Sequence, residues 1–147
     1  MVGNSYAQLK QRFFDQVVKP VNTEVRQQCQ QAGIGFYIRY TLKRDPHIFY
    51  RLYTRHIDKG EFASLFRRLF SDHYAELLYL CKSKQAEIYE RYNSGKFYAI
   101  QVQYKNFKVI FFLVDDRINQ KDYFTLMPLT VLPVKKQFEY DYSIEIG

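Results

Sequence analysis

A chain of 147 residues, 47% of them hydrophobic, is long enough to bury one core without a covalent staple, and with only Cys29 and Cys81 it is not a disulfide scaffold. Its 22 Lys and Arg outweigh 15 Asp and Glu and stand beside 14 Tyr and 13 Phe, a composition suited to partners that carry phosphates and exposed rings. No apolar run approaches the roughly 20 residues that span a bilayer and no signal peptide opens the chain, so the expectation is a cytoplasmic protein with no membrane segment.

Tyr6, Leu9, Phe13 and Val17 recur at helical spacing behind the candidate caps Asn4 and Ser5, and Pro20 is expected to end or kink that helix. Val21, Val25, Cys29 and Ala32 make a second short helix, stopped by Gly33 and Gly35, so the N-terminal helices occupy residues 5–32. Both thiols fall in helical patterns and are expected to be reduced and half-buried. The Gln27, Gln28, Gln30 and Gln31 side is a solvated face.

From Phe36 the period becomes two. Phe36, Ile38, Tyr40 and Leu42 alternate with Tyr37, Arg39 and Thr41; after Lys43–His47 the residues Ile48, Tyr50, Leu52 and Thr54 alternate with Phe49, Arg51, Tyr53 and Arg55. The pattern predicts a hairpin over residues 35–57. With Leu42 opposite Ile48, Arg39 faces Arg51 and Tyr37 faces Tyr53 on one surface.

Asp58 to Glu61 resembles a capping box, and the apolar stripe from Phe62 to Ile88 predicts a helical region over 58–94, with Ser71 and Ser83 as places where two or three shorter helices restart. Strands follow over 97–146. Phe97–Tyr104 alternates, Lys105 and Asn106 turn, and Val109–Val114 is apolar throughout, as expected of a central strand covered on both faces. Tyr123–Leu132 is interrupted by Pro128, which calls for an edge or a bulge, and Phe138–Ile146 alternates cleanly. The order α-α-β-β-α-β-β-β-β gives the fold class: a single α+β domain over 1–147, with a mainly antiparallel sheet of five or six strands and helices packed on it.

That order is similar to PAS-type and roadblock-type modules, which would imply a sensor or a protein-interaction domain acting as a dimer through the last strand. From the long helical region onward it is also similar to RelE-type ribosome-dependent RNA endonucleases. That resemblance would imply metal-independent cleavage by Lys, Arg and a terminal Tyr or His on the sheet, for which Lys108, Arg117 and Tyr123 are the nearest residues.

The expected ligand-binding residues are Tyr37, Arg39, Arg51, Tyr53 and Arg55, where guanidinium groups hold phosphates and tyrosines stack on bases of a nucleic acid or another polyanion. Against this stands Glu139, Asp141 and Glu145 on the last strand, which would quench the cations if docked beside the hairpin. Arg67 and Arg68 with Lys59 would extend the basic surface. His56, on a strand next to Arg55, is with Arg51 the best-placed candidate for acid–base chemistry on RNA. Asp72, His73 and Glu76 share one helical turn, a candidate cation site, although a histidine on an apolar stripe is more often buried and hydrogen-bonded. Asp115 and Asp116 end the central strand, where two-metal nucleases place ligands and where a polar turn is needed anyway. No metal spacing, phosphate loop or nucleophile elbow is present, so no metal, no cofactor and, in the first instance, a non-enzymatic binding domain are expected.

Overall fold

In a computed structural model, residues 8, 10–41, 47–115, 117 and 122–147 are described. Asn4, Ser5, Tyr6 and Leu9, the 43–46 turn and Asp116 lie outside them. Helix α1 (Lys19–Gln31) is entered through a π-helical turn, Phe14–Val18. Pro20 therefore neither ends nor breaks the helix: the Lys19 N–H reaches back to the Phe14 carbonyl, and the wider turn accommodates the proline that follows, which has no N–H to place.

The predicted hairpin does not form. Strand β1 (Tyr37–Tyr40) is followed not by a second strand but by helix α2 (His47–Thr54). Ile48 and Leu52 satisfy both readings, because positions four apart share a face in a strand and in a helix alike. Pro46 in front of the segment suits a helix start, and the buried Ile48 and Leu52 dock α2 into the main core. The region 58–94 divides into α3 (Lys59–Asp72), α4 (Tyr74–Ser83) and α5 (Gln85–Asn93), with breaks at His73 and Lys84. Asp58 caps α3 by accepting from the Gly60 and Glu61 N–H groups, while the Glu61 carboxylate pairs with Lys105 at 2.9 Å.

Strands β2 (Tyr98–Tyr104), β3 (Phe107–Asp115), β4 (Tyr123–Pro133) and β5 (Tyr142–Ile146) complete an α+β fold. The sheet order is β1-β4-β3-β2-β5, with β3 in the centre. The two longest ladders, β2–β3 and β3–β4, are antiparallel, whereas β1–β4 and β2–β5 are parallel. Between Ile110 and Phe111 the β3–β4 register slips, so Pro128 sits at a bulge on a stretch of β4 that β1 does not reach.

Phe107, Val109, Phe111 and Leu113 alternate inward with Ile100, Val102, Phe124 and Leu126 to meet Phe62, Phe66, Leu69 and Leu77 of the helices in one core. A smaller cluster, Ala99, Ile110 and Leu132, lies on the other sheet face. The last expected strand is shorter than its alternation suggests: residues 138–141 belong to the connection that carries the chain from β4 across to β5. Tyr74 fastens the helices to β1, since its hydroxyl accepts from the Ile38 N–H at 2.7 Å and lies 3.4 Å from Cys29 Sγ. Cys29 and Cys81 are both free and buried. Among the described residues no helix is long and apolar enough to cross a membrane.

Candidate functional site

The expected binding residues separate into two groups. Tyr37 and Arg39 stay on β1, opposite Tyr123 and Thr125 of β4. Tyr37 is only 9% exposed, with its ring 5.5 Å from Tyr123 and under Arg26 of α1, and burial pushes its hydroxyl up. It is a packing residue rather than a platform for bases. Arg39 lies 4.1 Å above the Tyr123 ring in a cation–π contact, while its buried Nε has no hydrogen-bond partner among the described residues.

Arg51, Tyr53 and Arg55 belong instead to α2 and the turn that follows it. Along β4, Arg55 reaches Val131, six positions beyond the Thr125 that pairs with Arg39, or roughly 20 Å of strand. The single Tyr–Arg surface predicted for the hairpin is therefore absent. The two-residue turn at Lys105 and Asn106 makes Tyr104 and Phe107 a hydrogen-bonded pair, and the alternation that follows turns the Val131 peptide away from β3, toward the open edge. Arg55 Nη1 donates to that carbonyl and closes the edge.

Arg51 lies one helical turn before Arg55, whose N–H bonds the Arg51 carbonyl at 3.0 Å. Partial burial, and then the charge of Arg51, hold Arg55 below its ordinary guanidinium range. His47 is the first residue of α2, Arg51 lies four positions on, and Arg55 follows after another four in the turn that closes the helix. This row is what the strand reading hid: a histidine and two arginines at four-residue spacing, visible in the sequence once a helix is allowed.

His56 is not on a strand. It is exposed, with φ 54°, in the left-handed conformation that usually falls to glycine, and the Ile57 N–H closes the helix on the Leu52 carbonyl at 2.9 Å. A non-glycine residue held there is uncommon and concentrates at functional sites. Beside it opens a hollow of about 470 Å³ lined by Leu52, Thr54, His56, Ile57 and Asp58.

Several of the remaining candidates are engaged by the fold itself. His73 Nδ1 lies 3.0 Å from Glu76, whose second oxygen accepts from the Tyr142 hydroxyl. Asp115 accepts from the Arg117 N–H at 3.0 Å, and the Arg117 guanidinium rests 4.4 Å over Phe124. Lys108 pairs with Leu132 at the far end of the sheet from Arg117 and Tyr123, so the trio suggested by the RelE resemblance does not converge. Arg68 pairs with Asp72 at 3.5 Å. The acidic tail does not cover the cations either: Glu145 stands on β5, at the opposite end of the strand order from β1, and Asp141 is engaged by Arg91 at 2.9 Å. Among the described residues no group of three or more His, Cys, Asp and Glu is placed to hold a metal.

A family profile described as T4 endoribonuclease RegB matches residues 6–99, well over half of the chain. The chain belongs to the RegB endoribonuclease family. The match covers all of α1 to α5, with Arg51, Arg55, His47 and His56 inside it, and ends at Ala99 as β2 begins. No curated protein and no solved structure matched significantly. RNA is thus the substrate class attached to the RegB family, reached without the hairpin on which the sequence-based expectation of a polyanion partner was built.

Proposed function

We propose that the protein is a metal-independent endoribonuclease whose reactive site is built on α2, and the observation that carries the proposal is the row His47, Arg51 and Arg55 within the region matched to RegB. Side chains of these types suffice for RNA cleavage. A neutral imidazole takes the proton of a ribose 2′-hydroxyl; the oxygen attacks the adjacent phosphorus; the 5′-oxygen leaves and is protonated. The products are a 2′,3′-cyclic phosphate and a 5′-hydroxyl. Guanidinium groups stabilise the charge that builds on the phosphoryl oxygens. Arg51, on α2 itself, is assigned this role, and Arg55, whose Nη1 donates to the Val131 carbonyl, adds positive charge beside it. His56, at the end of the same helix, supplies a second imidazole next to an open hollow.

The test is cleavage of single-stranded RNA in the presence of a chelator by the wild-type protein and by His47→Ala, His56→Ala, Arg51→Ala and Arg51→Lys. The expected losses are on the order of 100-fold or more for His47→Ala and for Arg51→Ala, with partial recovery in Arg51→Lys. A loss confined to His56→Ala would move the acid–base group to the other end of α2. Full activity in all four variants, or activity abolished by the chelator, would refute the assignment.

A further inference from the structure

A cleft on the sheet face away from the helices is assigned no role by the α2 site, and its aromatic lining belongs mostly to the part of the chain beyond the RegB match. The connection from β4 to β5 crosses this face and is pinned at Asp141, whose N–H donates to the Ala99 carbonyl and whose carboxylate accepts from the Ala99 N–H, both at 2.8 Å. Between the connection and the sheet remains a cavity of about 750 Å³, within the roughly 300–1,000 Å³ typical of ligand clefts. On the sheet side, Phe97 stacks on Phe112 with centroids 4.9 Å apart and planes 22° apart, both rings partly open to solvent. On the other side stand Phe138 and Tyr140, 37% and 50% exposed, where a core would have hidden them.

The charges around the cleft suit a polyanion. Asp141 is consumed by Arg91, which it holds through both oxygens, and by the Ala99 N–H, so its charge is neutralised in place. Lys96 lines the cleft, exposed, and Lys135 and Lys136 are exposed earlier on the same connection; Glu139 is the one acid left on the lip. Exposed rings beside lysines are the pattern by which proteins hold unpaired bases, the ring faces stacking and the cations following the backbone.

We propose that this cleft is a base-stacking subsite for single-stranded RNA, in which Phe112, Phe138 and Tyr140 receive unpaired bases of the strand. The proposal rests on RNA being the substrate and adds a second point of contact on a different surface of the molecule. Its test uses a single-stranded oligonucleotide protected from cleavage by 2′-O-methyl groups and carrying 2-aminopurine, whose fluorescence is quenched on stacking. Wild-type protein binds with quenching. Tyr140→Ala, a change at a half-exposed residue outside any strand, weakens binding about ten-fold and removes the quenching, Phe138→Ala does the same, and Tyr140→Phe keeps both. Unchanged affinity and quenching in Tyr140→Ala would overturn the subsite while leaving the endoribonuclease intact. Failure of the wild-type protein to bind any single-stranded RNA would overturn both. Unchanged RNA affinity with a dimer converted to monomer by Tyr140→Ala would make the cleft a contact between copies instead.

Discussion

Glu76 shows how a residue group that looks like a site from its spacing is consumed by the fold. With Asp72 and His73 it offers one helical turn of cation ligands, yet in the structure its carboxylate joins His73 to Tyr142 and so ties α4 to β5. The Tyr142 hydroxyl, and behind it His73, hold the Glu76 carboxyl below the ordinary carboxylate range against the opposing effect of burial, and Glu76 in turn pushes Tyr142 up to about 12. A carboxyl lowered in the folded state stabilises the protein above its unfolded pKa, and that contribution is lost as the pH falls through the folded value. The urea midpoint of the wild-type protein is therefore expected to fall as the pH drops below about 5, and Glu76→Gln to flatten that slope while starting from a lower midpoint. Identical slopes in the two proteins would show that the bridge contributes nothing. Arg55 makes the same point for a cation: half of the binding role expected of it is taken up by an edge carbonyl.

Among the elements, those with a long apolar period could be read from sequence. Val109–Val114 is the core of the central strand, Pro128 falls at a bulge, and the stripe from Phe62 to Ile88 runs through three helices. Short segments were illegible for a definite reason. Over eight residues, a period of two and a spacing of four select the same pair, Ile48 and Leu52, and only packing against the core decides between strand and helix. The expected site rests on that ambiguity: Arg51 lies on α2 and Arg55 in its closing turn, Tyr37 and Arg39 pack on β1 against Tyr123, and His47 opens α2. The start of the last strand is not legible in the sequence, because alternation of Phe138 and Tyr140 with Glu139 and Asp141 carries no mark of where pairing begins. Local capping signals were more dependable. Asp58→Ala is expected to destabilise the protein by about 1 kcal/mol through loss of the α3 cap, and Asp58→Asn to retain most of that stability, as measured by urea unfolding. Equal losses in the two variants would mean that the charge, not the cap hydrogen bonds, matters.

Across the whole molecule, the strand order separates the arginines of α2 from the acidic end of the tail. Arg55 reaches β4 at Val131, beyond the stretch that β1 covers, whereas Asp141 and Glu145 follow the chain to the β5 side. Sequence order alone left this separation open, since a tail may return to either edge of a sheet; the crossover from β4 to β5 decides it. The arginines of α2 and its closing turn thus stand apart from the acidic end of the tail. The central claim is that these side chains direct a 2′-hydroxyl onto its neighbouring phosphorus. It is tested most directly by identifying the ends of the cleaved RNA, together with a substrate carrying a single 2′-deoxy nucleotide at the cleaved position. The account predicts 2′,3′-cyclic phosphate and 5′-hydroxyl ends, and no cleavage at the deoxy position; 5′-phosphate ends, or undiminished cleavage of the deoxy substrate, would contradict it.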